Sequence, residues 1–204
     1  METIKSIKDF NTFDTAVVST SNRILPEIIQ SCQRIESPSA GMFNHAFKLY
    51  VDENVNVIEA EEQGIVKNLF SEYLSDSNYT MILVLRPKFA FFQSDIDYML
   101  SFVNRAKYDF FGLLGEALRF VTTPIAKLFG KKNGLWLGSN MTSNKRFMCG
   151  MFAGYIDAHA NKLTNKMFNI PIPEIAPVDL VLNDYYDHIW VDMDLLRKEA
   201  GVKF

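Results

Sequence analysis

Residues 42–51 and 54–60 are two apolar-rich stretches joined across Asp52-Glu53-Asn54. Side chains alternate across a strand, so the pair reads as a β-hairpin. Phe43, His45, Phe47 and Leu49 then share one face, and Asn44, Ala46 and Lys48 the other. Such a hairpin needs neighbours, and the chain offers them. Residues 14–20 form a short β-branched strand, 79–85 a strand stopped by Arg86-Pro87, and 188–191 a last extended piece. Helices are expected over 24–35, with Ser21 or Asn22 as cap and Pro26 in the first turn, and over 94–107 on the stripe Ile96, Met99, Leu100 and Val103. A helical turn is expected over 65–73. From Arg146 onward Met148, Phe152, Tyr155, Ile156 and His159 recur at helical spacing, which puts Cys149 in the opening turn of a helix. Strands gathered among helices without a strand–helix–strand rhythm favour an α+β fold.

A chain of 204 residues fits one domain, and the reading here is a single domain over 1–204. A formal charge of −3 argues against a nucleic-acid partner, and Lys131-Lys132 and Lys145-Arg146 are short enough to be solvated surface. The most apolar segment, 110–129, is broken by Glu116, Arg119, Pro124 and Lys127, so no integral membrane segment is expected. It reads as core, or as a lid or groove wall. Cys32 and Cys149 make no disulfide framework, and the first residues carry no apolar stretch behind a basic start. The expected compartment is reducing cytoplasm, where a thiol survives.

Three residues carry candidate chemistry. A helix N-terminus favours a thiolate, and its N–H groups can supply part of an oxyanion hole, so Cys149 is placed to be a nucleophile. Beside Phe147 and Met148, a lone cysteine is more often a small core residue. A cysteine nucleophile needs an imidazole to take its proton and return it to the leaving group. His45 fits that role better than His159, about three turns further along the Cys149 helix, or His188 in the tail, though a histidine on an apolar strand face is commonly a core residue. Glu59, in Val57-Ile58-Glu59-Ala60, can orient that imidazole or can be a strand-end charge turned to water near Glu61 and Glu62. No Cys and His spacing suggests zinc, and no cofactor is called for.

The order of these segments resembles the circularly permuted NlpC-like (YiiX-like) papain-fold cysteine peptidase and amidase family. The His strand is matched by Gly41-Met-Phe-Asn-His45-Ala-Phe-Lys-Leu-Tyr50, and the acidic partner strand by Val57-Ile-Glu59-Ala60 with Gly64-Ile65-Val66. A Tyr-Asp pair is matched by Tyr108-Asp109, the nucleophile helix by Arg146-Phe-Met-Cys149-Gly-Met-Phe, and a closing Pro-x-Asp-Leu by Pro177-Val-Asp179-Leu180. The resemblance spans about 16–182, with 183–204 as a tail. Many members have Ser before the His and Cys-Ser-Glu at the nucleophile, where this chain has Asn44 and Cys149-Gly150-Met151.

The resemblance implies a papain-like fold, an antiparallel sheet or small barrel against helices, with the His strand preceding the Cys helix. It implies Cys149, His45 and Glu59 as a catalytic triad, with Asn44, Tyr108 and Gly150 as neighbours. The implied activity is a cysteine hydrolase cleaving an amide bond in a cell-wall-type (peptidoglycan) peptide through an acyl-enzyme. Relatives that transfer acyl chains between lipids make a lipid-directed thiol acyltransferase the second expectation. A binding or structural module that kept the fold and lost the chemistry is the third. The partner is thus a small peptide or acyl substrate. Work on cell walls without a secretory leader would suit cytoplasmic recycling or a phage-encoded enzyme.

Overall fold

The computed structural model describes residues 2–21, 30–31, 33–34, 37–109, 118–119, 122–123, 125–130, 146–162, 172 and 175–202. In chain order these give β1 (Thr3–Ile4), β2 (Thr15–Thr20), β3 (His45–Val51), β4 (Val55–Glu61), β5 (Gly64–Leu69), α1 (Phe70–Ser75), β6 (Tyr79–Pro87), α2 (Gln93–Leu100), β7 (Lys107–Tyr108), β8 (Arg146–Phe147), α3 (Cys149–Ala160), α4 (Pro177–Val181), β9 (Tyr186–Val191) and α5 (Met193–Glu199). The fold is α+β. Seven strands form an open sheet in the order β1-β9-β6-β2-β3-β4-β5, antiparallel except for the parallel pair β1–β9, while β7 and β8 form a separate parallel pair. The sheet has two ends, at β1 and β5, and so is not the barrel of the two expected forms.

Alternation sorts the strands onto two faces. Ala16, Val18, Phe47, Leu49, Val57, Ile82 and Val84 pack with Phe70, Tyr73 and Leu74 of α1 and Met193 and Leu196 of α5. On the other face Ile58, Ala60 and Ile65 pack with Phe152 and Ile156 of α3, and Val17, Ala46 and Leu83 with Ala153 and Ala158. Phe43, expected beside His45 and Phe47, packs instead with Ala46 and Ala153, because it lies before β3 begins.

Two expected helices are corrected. Residues 65–69 belong to β5, which pairs with β4 from Glu61↔Gly64 to Asn56↔Leu69, and the helix begins only at Phe70. The turn into β5 uses Gly64 at φ 124, where a Cβ would lie 2.2 Å from the Ala106 carbonyl oxygen. The helix expected to reach 107 ends at Leu100. Its continuation is held elsewhere: Asn104, left-handed at φ 58, donates its N–H to the Ile65 carbonyl, and Ile65 donates to Ala106. β6 continues through Pro87, which pairs with Tyr186, and β9 begins two residues earlier than expected.

The helix expected over 24–35 falls largely outside the described residues, though 30–31 and 33–34 are helical. Of segment 110–129, Arg119 and Thr123 are buried, but Ile125, Leu128 and Phe129 are exposed, so its end is not core. Among the described residues no helix is long and apolar enough to cross a membrane.

Candidate active site

The site lies where two strands part. The β3–β4 ladder runs from Val51↔Val55 to Lys48↔Ile58 and stops there. Beyond that point β3 stays paired to β2 through Val18↔His45, while β4 stays paired to β5 through Glu61↔Gly64. By alternation His45 and Glu59 share the face of Phe47 and Val57, whereas α3 lies on the opposite face. Cys149 therefore meets His45 at the opening between the strands.

Cys149 is the first residue of α3, after Met148 in extended geometry, and the first intrahelical bond runs from the Phe152 N–H to the Met148 carbonyl at 2.8 Å. Met148 gives no side-chain cap, and the first turn holds no acidic residue. The positive end of the helix is thus left to other acceptors. The N–H groups of Ala46 and Gly150 donate to the Cys149 sulfur, and the thiol hydrogen-bonds with His45.

His45 is held from its other side. Its Nε2 lies 2.5 Å from Glu59 Oε2, which leaves Nδ1 as the ring nitrogen for the thiol. The imidazole side chain is 21% exposed and the Glu59 side chain 1%. Glu59 Oε1 accepts from Asn68 Nδ2 at 3.2 Å, and the same amide approaches Glu61 Oε1 and Tyr73 Oη, each at 3.4 Å. Each Glu59 oxygen therefore has its own donor, which fixes the carboxylate's rotation.

The electrostatics follow from this packing. Burial pushes the Cys149 thiol up, but the charge and hydrogen bond of His45, with the N–H groups of Ala46 and Gly150, outweigh it and hold the pKa below the ordinary 9.0. Burial alone would pull His45 down. Cys149 and then Glu59 reverse that and hold it well above 6.5. Both shifts favour the charged forms, thiolate for Cys149 and imidazolium for His45. Burial, and next the charge of Glu59, raises the Glu61 carboxyl.

The expected neighbours play different parts. Asn44 is buried and turned to β2: its Oδ1 accepts from the Thr20 N–H and Oγ1 at 3.2 and 3.0 Å, and its Nδ2 donates to the Thr20 carbonyl at 3.0 Å. It fixes the start of β3 just before His45. Tyr108 pairs with Phe147, and the Asp109 N–H donates to the Phe147 carbonyl at 3.1 Å, so this strand holds the residues that lead into Cys149. At Gly150 a Cβ would fall 2.7 Å from the Ala176 carbonyl carbon and 2.8 Å from the Ile175 oxygen. The close pass of 175–177 over the helix's first turn requires glycine there.

His159 stacks on Tyr98 at 3.9 Å and His188 lies in β9 opposite Leu85, away from the thiol. Cys32 lies outside the described residues. Among the described residues no three His, Cys, Asp or Glu side chains converge as they would around a metal ion.

Asn68 was missed in the sequence because a helix was expected at that point. In strand register Val66 faces Glu59, so Asn68 is its diagonal neighbour on the same face. Lys48 and Asp157, whose buried pairing is described below, gave no signal beyond their type. No family model matches the chain, and no curated protein matches it.

Proposed function

We propose that this protein is a papain-like cysteine hydrolase that cleaves an amide bond through an acyl-enzyme. The observation that carries the reading is one side chain bonded on both sides: His45 meets the Cys149 thiol on one edge and Glu59 Oε2, at 2.5 Å, on the other. A structural histidine can satisfy its two ring nitrogens with any donor and any acceptor. Two partners of these types, with the thiol on a helix N-terminus, match the demands of nucleophilic catalysis.

In the proposed cycle the Cys149 thiolate attacks the substrate carbonyl, and first-turn N–H groups of α3 receive the oxyanion. The His45 imidazolium gives its proton to the leaving amine, and the acyl group remains on sulfur. Neutral His45 then takes a proton from water, whose oxygen attacks the thioester. Collapse releases the carboxylic acid and returns the thiolate–imidazolium pair. Glu59 keeps the ring oriented and stabilises its charged form throughout.

The polar groups on the His45 side, half-exposed Glu61 and Asn68, favour a peptide over a lipid. A cell-wall-type peptide remains the proposed substrate class. The exposed Ile125, Leu128 and Phe129 favour the second reading, a lipid-directed thiol acyltransferase.

The test is the rate of Cys149 alkylation by iodoacetamide from about pH 4 to about pH 9, in a Cys32→Ser background, with and without His45→Ala. Reactivity that persists well below the ordinary thiol range and is lost in His45→Ala is expected. A thiol whose reactivity ignores His45 would leave a binding module. Release of amine from peptides against release of alcohol from acyl esters then separates the two enzymatic readings.

A further inference from the structure

A second constellation of charges lies fully inside the molecule. Lys48 Nζ donates to Asp157 Oδ1 at 2.6 Å, to Thr15 Oγ1 at 2.8 Å and to the Phe13 carbonyl at 2.6 Å. Asp157 Oδ2 accepts from Thr15 Oγ1 at 3.1 Å and from Tyr186 Oη at 2.8 Å. Lys48 and Asp157 are both 0% exposed. The network ties together β2, β3, β9 and α3.

Its endpoints are what make it informative. Lys48 stands three residues from His45 on β3, and Asp157 stands eight residues from Cys149 on α3, about 12 Å along the axis. The pair thus joins the strand that carries the proposed base to the helix that carries the proposed nucleophile. Part of the apolar contact between these two elements is small: Ala46 against Ala153 and Ala158. Small side chains allow close approach but interlock little, so they resist sliding weakly.

Stability alone does not account for such a pair. Desolvating two charges offsets most of their attraction, and apolar residues of similar volume often serve as well or better. Three hydrogen bonds of fixed direction converge on Asp157, from Lys48, Thr15 and Tyr186, and supply what the alanines lack, which is a defined axial stop.

We propose that the Lys48–Asp157 pair, with Thr15 and Tyr186, is a positioning device that sets the register of α3 on β3 and so holds the Cys149 thiol at His45. The inference rests on the Cys149–His45 reading above and assigns the four residues no contact with substrate. Burial and Asp157 push the Tyr186 phenol well above 10, which keeps it a donor to the network.

The test compares Lys48→Met/Asp157→Met and Tyr186→Phe with the parent and His45→Ala, all in the Cys32→Ser background. The readouts are the thermal transition and the iodoacetamide rate at about pH 6 and about pH 9.5. The double variant is expected to keep a cooperative transition while its rate at the lower pH falls about tenfold, the effect of moving the thiol pKa to about one unit above that pH, with the higher-pH rate retained. Tyr186→Phe, which removes one donor and keeps the ion pair, is expected to fall about two- to threefold at the lower pH. A pair that only stabilises the fold would shift the transition and leave the low-pH rate unchanged, and that result overturns the proposal. Should the double variant fail to fold, an unchanged low-pH rate in Tyr186→Phe overturns it. A parent thiol inert at low pH removes the catalytic reading itself, whereas a parent that is reactive and dependent on His45, beside unchanged variants, removes the positioning device alone.

Discussion

Glu59 Oε2 reaches His45 Nε2 at 2.5 Å from a strand that has ceased to pair with the strand of His45. The contact is made by side chains across an opening in the sheet, so it depends on Glu59 being held from behind by Asn68.

Removing the carboxylate charge should lower the His45 pKa. In Glu59→Gln the depressing effect of burial remains while one of the groups that raise the imidazole is lost. Titration of the His45 ring by NMR should show a value below that of the parent. An unchanged value would contradict the assigned contact.

The same variant has a stability signature with a defined pH window. The folded His45 pKa lies above 6.5, so its contribution is fully present below 6.5 and is lost as pH rises through the folded value. The unfolding free energy of the parent should exceed that of Glu59→Gln most just below pH 6.5, with the difference shrinking toward alkaline pH. Urea titrations at stepped pH would measure it. A difference that grows with pH would be the wrong sign.

Gly150→Ala should destabilise the fold by about 1–3 kcal/mol, since the new methyl meets backbone of 175–177 rather than a flexible side chain. Chemical denaturation checks the cost. The alkylation rate of the folded fraction should also drop, because relief of the clash must move either the first turn of α3 or the segment over it.

Asn44→Ala should cost about 1–3 kcal/mol by leaving buried Thr20 groups without their partner. The Thr20 amide should exchange with solvent faster in this variant. Exchange at the centre of β2 should change little.

Much of the site could be read from residue order. The alternation in 42–60 fixed the hairpin and the shared face of His45 and Phe47, and the spacing after Arg146 placed Cys149 at a helix start. What escaped was set by long-range pairing. Residues 65–69 have a sequence that suits a helical turn as well as a strand, and only the β4 edge decides between them. That misreading hid Asn68. The parting of β3 from β4 has no local mark, because both strands keep their alternation past the last paired residues. Lys48 is placed by alternation only on the hairpin face opposite Phe47, and its burial depends on an aspartate more than a hundred positions away.

The separation of Cys149 from His45 along the chain gives the thiol a history as well as a place. β3, β4 and β5 are joined by short turns and can associate early in folding, bringing His45 and Glu59 together with little loss of loop entropy. The cysteine joins them only through a contact that spans about a hundred residues, a slower closure. A partly folded chain therefore carries an ordinary thiol of low reactivity. The thiolate develops with completion of the fold, and its appearance during refolding would time the final docking of α3.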